Sequence, residues 1–92
     1  MMKGEQMMKE YCYTVVNELG MHARPAGMFV KLAKDHKSKI SIWKGDQSSD
    51  AVRIMNVMRM GIHQGDQVRI TVEGEDEEQT IEEVKKICRE CL

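Results

Sequence analysis

The chain has 92 residues, which matches the usual size of one domain and leaves no room for a second. Its 14 basic and 15 acidic residues give a formal net charge of −1, so the overall charge favours neither nucleic acid nor an anionic membrane as a partner. The sequence contains no apolar run long enough to cross a membrane and no secretory signal at its N-terminus. We therefore expect a cytoplasmic protein that binds no nucleic acid and inserts into no membrane.

Residues 1–7 follow neither the period of a strand nor that of a helix and are predicted to form a loose extension, which leaves residues 8–92 as the folded domain. Residues 11–16 are rich in β-branched and aromatic side chains, which favour a strand. Residues 17–20 interrupt this pattern and end in a glycine. The first strand is thus predicted to lead into a glycine turn.

A helix is predicted to begin directly after this turn. Pro25 fits the first helical turn, because the N–H groups there have no partner within the helix. The apolar residues recur at the spacing of one helical face, at Ala26, Phe29, Val30 and Ala33.

The middle of the chain predicts a hairpin. Residues 39–43 alternate in the manner of a strand, with Ile40 and Ile42 on one face, and residues 44–47 are typical of a tight turn. The partner strand, Gln47–Asp50, is polar. It is therefore expected to be short or to lie at the edge of a sheet.

A short helix is predicted over residues 51–60, with Gly61 at its C-terminal end. Gly65 and Asp66 form a turn before residues 68–72, where apolar and polar side chains alternate as in a strand with one face in water. The apolar stripe of the short helix consists of Ile54, Met55 and Met58.

The last element is predicted to be a helix that Asp76 caps, with Gln79 three residues later in the manner of a capping box. Its apolar face consists of Ile81, Val84, Cys88 and Cys91. The complete order is strand, helix, strand, strand, helix, strand, helix. This order, with one apolar sheet face, indicates an α+β open-faced sandwich whose helices stack on one side of a four-stranded sheet.

A histidine stands between the glycine turn and the first helix, within residues 20–26. The first N–H groups of a helix have no internal partner, and the peptide dipoles leave a partial positive charge there, so an anion near His22 would meet oriented donors. Arg24 adds a guanidinium group that can bind two phosphate oxygens. Because a neutral imidazole has one nitrogen free to attack phosphorus, the segment is a candidate for phosphoryl transfer. Considered alone, a histidine near a turn is more often a cap or a surface residue than a nucleophile.

The sequence Gly-Met-His-Ala-Arg-Pro-Ala at residues 20–26 resembles the active-site motif of the HPr family, the histidine-containing phosphocarriers of the bacterial phosphoenolpyruvate:sugar phosphotransferase system. The likeness continues through residues 54–62, 64–66 and 73–76, and it extends from Met8 to the C-terminus. It implies a βαββαβα fold with a four-stranded antiparallel sheet and three helices on one face. That fold agrees with the order of elements derived above.

By this resemblance the protein is a stoichiometric phosphoryl carrier and not an enzyme in the strict sense. His22 would accept the phosphoryl group on Nδ1 from the first enzyme of the system and pass it to the sugar-specific components. Arg24 would stabilise the phosphate, together with the backbone amides of Ala23 and Arg24. Transient docking would use Ile54, Met55 and Met58, of which at least one is expected in the core. No metal or organic cofactor is implied, and we expect a monomer.

One position departs from the pattern of the family. Many members carry a regulatory serine immediately before the Ile-Met pair, whereas this chain has Arg53 there. An arginine cannot accept that phosphate, so one alternative is an HPr-like regulator that is phosphorylated on His22 but does not serve sugar uptake. Arg53 and Arg59 also make the second helix basic, which could favour an acidic partner.

A second alternative is a thiol redox or metal protein, because Cys88 and Cys91 have the C-x-x-C spacing. These residues are predicted at a helix C-terminus, where the dipole disfavours a thiolate. A zinc site would need two further ligands, and Cys12, His36 and His63 show no matching spacing. Packing against the sheet explains the cysteine pair adequately, and both histidines are expected at the surface.

Overall fold

A computed structural model describes residues 8–92 of the chain, so the predicted extension at residues 1–7 lies outside the described part. The strands are β1 (Lys9–Thr14), β2 (Lys39–Lys44), β3 (Gln47–Asp50) and β4 (Gln67–Glu73). The helices are α1 (Ala23–Asp35), α2 (Ile54–Met58) and α3 (Glu77–Cys91). The elements follow one another in the predicted order.

The four strands form one sheet in the order β1-β4-β2-β3, and every neighbouring pair is antiparallel. Ile42 of β2 lies opposite Ile70 of β4, which places both side chains on the same face of the sheet. The three helices cover this face, while the other face is open. The open-faced sandwich expected from the sequence is confirmed.

The hydrophobic core lies between the sheet and the helices. The central strands contribute Ile40, Ile42, Val68, Ile70 and Val72, all of them fully buried. The helices add Ala26, Phe29, Val57, Val84 and Cys88, which are also fully buried. Packing of this single core fixes the start of α1 relative to the loops around it.

The first strand begins and ends two residues earlier than predicted. Val15 and Val16 have strand-forming side chains, but their N–H groups donate outside the β1–β4 ladder, at 2.9 Å to the carbonyls of Asp66 and Leu92 respectively. Helix α2 is also shorter than predicted, since Ala51 is still tied to β2 by a bond from its N–H to the Ile40 carbonyl at 2.9 Å. Tertiary hydrogen bonds thus set both boundaries.

The open face of the sheet is less exposed to water than the alternation of apolar and polar residues in β4 predicted. Thr71 is buried on this face, because the indole of Trp43 on the neighbouring strand donates to its hydroxyl at 3.2 Å. The guanidinium carbon of Arg69 in turn lies 4.5 Å from the centre of the Trp43 ring. These three side chains form a polar and aromatic layer on the face away from the core.

The capping box predicted for Asp76 and Gln79 was wrong. Asp76 is the N-cap residue of α3, but its side chain makes no capping bond. Its carboxylate instead accepts hydrogen bonds from the Ser38 hydroxyl at 2.5 Å and from the Lys37 N–H at 3.0 Å. These bonds lower the pKa of Asp76 to about 2. The carboxylate therefore joins two loops and leaves the helix end to other groups.

Among residues 8–92, no helix combines the length and the apolar character that crossing a membrane requires.

Candidate functional site

The loop from β1 to α1 is tied at its start to the last turn of α3. The N–H groups of Val16 and Asn17 both donate to the Leu92 carbonyl at 2.9 Å. The side-chain amide of Asn17 donates to the Cys91 carbonyl at 3.3 Å, and its oxygen accepts the Leu19 N–H at 2.8 Å. The loop is therefore constrained several residues before it reaches His22.

Gly20 allows the loop to pass close to a second segment. Its φ is +64°, a conformation that side chains other than glycine rarely adopt, and a Cβ atom there would overlap the carbonyl oxygen of Ile62. The next residue, Met21, donates its N–H to that same carbonyl at 3.0 Å. Only glycine fits this approach, which sets the direction in which the chain enters the helix.

His22 is the N-cap residue of α1. Its backbone is extended, with φ −92° and ψ −171°, and its carbonyl accepts the first helical hydrogen bond from Ala26 at 3.1 Å. The N–H groups of Ala23 and Arg24 precede that bond, so they have no acceptor within the helix. Pro25 follows and has no N–H to satisfy. The helix thus presents two oriented amide donors beside the histidine.

The charges around this helix start favour a bound anion. The first turn contains no acidic residue, and the His22 side chain makes no capping bond. Arg24 is exposed and forms no ion pair within residues 8–92. The partial positive charge of the helix terminus and the guanidinium group can therefore act on a phosphate without competition from a carboxylate of the first turn.

The imidazole of His22 is half-buried, and within the described residues it takes part in no side-chain hydrogen bond. A neutral imidazole in this state has a lone pair available for attack on phosphorus. The structure thus brings His22, Arg24 and the amides of Ala23 and Arg24 together at one helix end. Their joint action on a phosphate stays a prediction.

The short helix α2 packs against α1 close to this site. A Cβ atom on Gly27 of α1 would lie 3.7 Å from Cδ1 of Ile54, so the first residue of α2 contacts α1 near its start. Met55 is the most exposed of the predicted docking residues at 55%, whereas Ile54 is 37% exposed. Met58 is partly buried against the core. The residue of α2 that is fully buried is Val57, which sequence reasoning did not single out.

Three exposed apolar side chains near the site were missed in the sequence. Val16 and Leu19 in the loop before His22 are 66% and 70% exposed, and Val52 before α2 is also exposed. A signal was available only for Leu19, which lies in the predicted turn and has no predicted core to enter, because Val16 and Val52 fell within a predicted strand and a predicted helix. Val16 and Leu19 lie in the loop that leads into α1, and Val52 lies with Ile54 and Met55 at the start of the helix that packs against α1.

The residues proposed for a thiol site are not placed for reaction. Cys88 and Cys91 are both buried, and burial raises the pKa of the Cys88 thiol to about 12. The thiol of Cys91 donates to the sulfur of Met28 at 3.3 Å, which is a packing contact. His63 is exposed as predicted, while His36 is half-buried and one of its ring nitrogens contacts the Leu32 carbonyl.

The chain is similar to proteins of known function. Residues 9–90 match the family model described as PTS HPr component phosphorylation site. The phosphocarrier protein HPr of Lysinibacillus sphaericus is 36% identical over 83 residues, which cover 90% of this chain and 94% of that protein.

Solved structures show the same relationship. A crystal structure of HPr-C-His from Thermoanaerobacter tengcongensis superimposes with a TM-score of 0.81 at 36% identity, covering 88% of this chain and 91% of that one. A crystal structure of an HPr dimer from the same organism gives a TM-score of 0.68 at 33% identity, covering 96% and 94% of the two chains.

Proposed function

The chain belongs to the HPr family of phosphocarriers of the phosphotransferase system, and we propose that it carries the phosphoryl group on Nδ1 of His22. It is accordingly a stoichiometric carrier and not an enzyme. The observation that carries the assignment to His22 is the start of α1, where the histidine is the N-cap residue of a helix whose first turn holds no acidic side chain.

The transfer is a displacement at phosphorus. The lone pair of the His22 imidazole attacks the phosphoryl group of the donor, so a phosphorus–nitrogen bond forms while the bond to the donor breaks and its electron pair leaves with the donor. In the transition state, negative charge is spread over the three equatorial oxygens of the phosphoryl group. The amides of Ala23 and Arg24 and the guanidinium group of Arg24 stabilise that charge. The acceptor then attacks the same phosphorus, and the imidazole departs with the electron pair of the bond.

The docking surface is proposed to consist of Ile54, Met55 and Met58. Exposure divides their roles: Met55 offers the most surface to a partner, Ile54 offers less, and Met58 mainly supports the helix from below. Methionine side chains adapt to surfaces of different shape, which suits a carrier that meets several partners. Ile54 lies close to Gly27, which supports a docking surface beside the helix that follows His22.

The proposed partners are the first enzyme of the system as donor and its sugar-specific components as acceptors. Each encounter must be brief, so small interfaces suffice.

We propose a monomer as the active form. Sedimentation velocity over a wide concentration range tests this, because formation of a dimer would raise the average sedimentation coefficient as the protein concentration rises. Arg53 occupies the position of the family's regulatory serine, so no phosphate is accepted there.

The decisive experiment is phosphorylation by the first enzyme with phosphoenolpyruvate. The purified chain is expected to take up one acid-labile phosphate, and His22→Ala is expected to take up none. His36→Ala and His63→Ala are matched controls that should label like the wild type. Uptake by a folded His22→Ala variant would contradict the assignment to His22. No uptake by the folded wild type, tested with several first enzymes, would contradict carrier function.

A further inference from the structure

Residues 61–66, called here the support segment, lie beneath the loop that carries His22. At the end of the loop, the Ile62 carbonyl accepts the Met21 N–H at 3.0 Å, and Gly20 lies directly against it. The position of the His22 backbone therefore depends on where the support segment places this carbonyl.

The support segment also holds the start of the same loop. The N–H of Gly65 donates to the Val15 carbonyl at 2.8 Å, and the N–H of Val15 donates to the Asp66 carbonyl at 2.9 Å. The side-chain amide of Gln64 donates to the Val16 carbonyl at 3.1 Å. One short segment thus fixes both the entry and the exit of the loop.

A charged pair closes the support segment. The ammonium group of Lys44, at the end of β2, donates to the Gly61 carbonyl at 2.7 Å and lies 3.0 Å from Oδ2 of Asp66. The same Oδ2 accepts the His63 N–H at 2.8 Å. These bonds lower the pKa of Asp66, so its carboxylate is ionised at neutral pH. The first and last residues of the segment are thereby tied to a single ammonium group.

Fold stability alone does not account for this pair. Lys44 and Asp66 are 35% and 30% exposed, and ion pairs near the surface usually contribute little to stability. Their bonds instead determine the local shape of a segment that the His22 loop follows. The ring of His63 lies outside this arrangement, since it is 78% exposed and 3.9 Å from Asp66.

We propose that Lys44 and Asp66 are positioning residues for phosphoryl transfer. By holding the support segment closed, they fix the Ile62 carbonyl and through it the Met21 N–H, and this sets His22 against the amides at the start of α1. The inference rests on the proposed function of His22. Neither side chain acts on the phosphate itself, so both act through the geometry of the loop.

The test compares Lys44→Met, Asp66→Asn, the double variant and Lys44→Arg with the wild type. Lys31→Met is the matched control, because it removes a 2.9 Å ion pair to Asp35 on the exposed face of α1. The readouts are hydrogen exchange of the Met21 amide, the rate of phosphoryl transfer from the first enzyme, and hydrolysis of the phosphorylated histidine. The last two report the geometry at His22 and would not respond to a loss of overall stability well below the unfolding temperature.

Both single variants are expected to exchange the Met21 amide about tenfold faster and to transfer phosphate about tenfold more slowly, with phosphohistidine hydrolysis about threefold faster. The double variant should be no worse than either single one, since the pair acts as a unit. Lys44→Arg should restore most of the transfer rate, and Lys31→Met should change nothing.

Wild-type rates of transfer and hydrolysis in the variants would overturn the inference. So would faster exchange spread equally over Met21 and the core amides of β4, because that result indicates global destabilisation. Failure of the proposed function is distinguishable: the wild type would then take up no phosphate, while exchange at Met21 would still show whether the pair holds the loop.

Discussion

The N-termini of α1 and α3 share two features and have opposite electrostatics. Each helix follows a glycine whose Cβ position is blocked by another segment, Gly20 by Ile62 and Gly74 by Ser38. Both N-cap side chains, those of His22 and Asp76, leave the helix amides without a capping bond. The two helix ends differ in the residues that follow.

At α3 the first turn contains Glu77 and Glu78, and Glu77 accepts the Gly74 N–H at 3.1 Å. At α1 the equivalent positions hold Ala23 and Arg24, so the chain provides no carboxylate there. A helix N-terminus attracts negative charge in both cases. A helix N-terminus is therefore a candidate anion site where its first turn lacks a carboxylate, as in α1. It is ordinary structure where the first turn supplies one, as in α3.

The largest expected effect comes from making α1 resemble α3. Ala23→Glu places a carboxylate where α3 has Glu77, and this charge would occupy the anion position and repel a phosphoryl group. We expect kcat/KM for transfer from the first enzyme to fall about 100-fold. Urea denaturation should show a free energy of unfolding that is higher by about 0.3–1 kcal/mol, because the carboxylate interacts favourably with the helix N-terminus.

Ala23→Gln is the control for this change, because it has a similar shape without the charge. It should keep most of the transfer rate. An equal loss in both variants would indicate a steric effect and would contradict the electrostatic difference between the two helix ends.

The two glycines test whether the same close contact with another segment serves different roles at the two helix starts. Gly20→Ala and Gly74→Ala should each lower the free energy of unfolding by about 2 kcal/mol, because a methyl group meets backbone or Cα atoms at either position. Urea denaturation measures this loss. Only Gly20→Ala should also slow phosphoryl transfer at a temperature where both variants are folded. Equal transfer rates would contradict the separate roles.

Asp76, at the N-terminus of α3, should make the stability of the protein depend on pH in the acidic range. Because the pKa of Asp76 is lowered to about 2 in the folded state, its contribution to stability is present above the unfolded pKa near 3.8 and is lost as the pH falls toward 2. In thermal unfolding, Asp76→Asn should be less stable than the wild type at neutral pH, and the difference should shrink between pH 4 and pH 2. Asp46→Asn, in the exposed β2–β3 turn, should keep the wild-type profile.

The smallest expected effect concerns the basic residues at the two ends of α2. Arg53 and Arg59 are exposed at the two ends of α2. Replacing either by alanine should lower the association rate with the first enzyme about threefold at low ionic strength, and the difference should vanish at high salt. Arg89→Ala, an exposed arginine on α3, is the control. A salt-independent loss would mean that these side chains make direct packed contacts.

The sequence predicted the position of the α1 N-terminus well, because the residues that define it are neighbours in the chain. His22, Arg24 and Pro25 occupy one helical turn, and local rules for helix starts apply to them directly. The cap at Asp76 failed for the opposite reason. Its partners, Lys37 and Ser38, lie 39 and 38 residues away, and no local pattern reports a bond of that range.

Two further features depended on packing and escaped the pattern. Helix α2 has only five residues, too few for its period to decide which side chain enters the core, and Val57 does so rather than the predicted methionine stripe. Lys44 of β2 contacts Gly61 and Asp66 of the support segment, which is a separate part of the chain. Such a pair is found only once the strands have been placed.

The freedom of the His22 ring has a consequence for timing. Within the described residues the ring takes part in no side-chain hydrogen bond, so it can change rotamer on the order of nanoseconds. Brief protein complexes live for about a millisecond or longer. A ring that samples its orientations many thousands of times within one encounter would add no delay of its own to phosphoryl transfer.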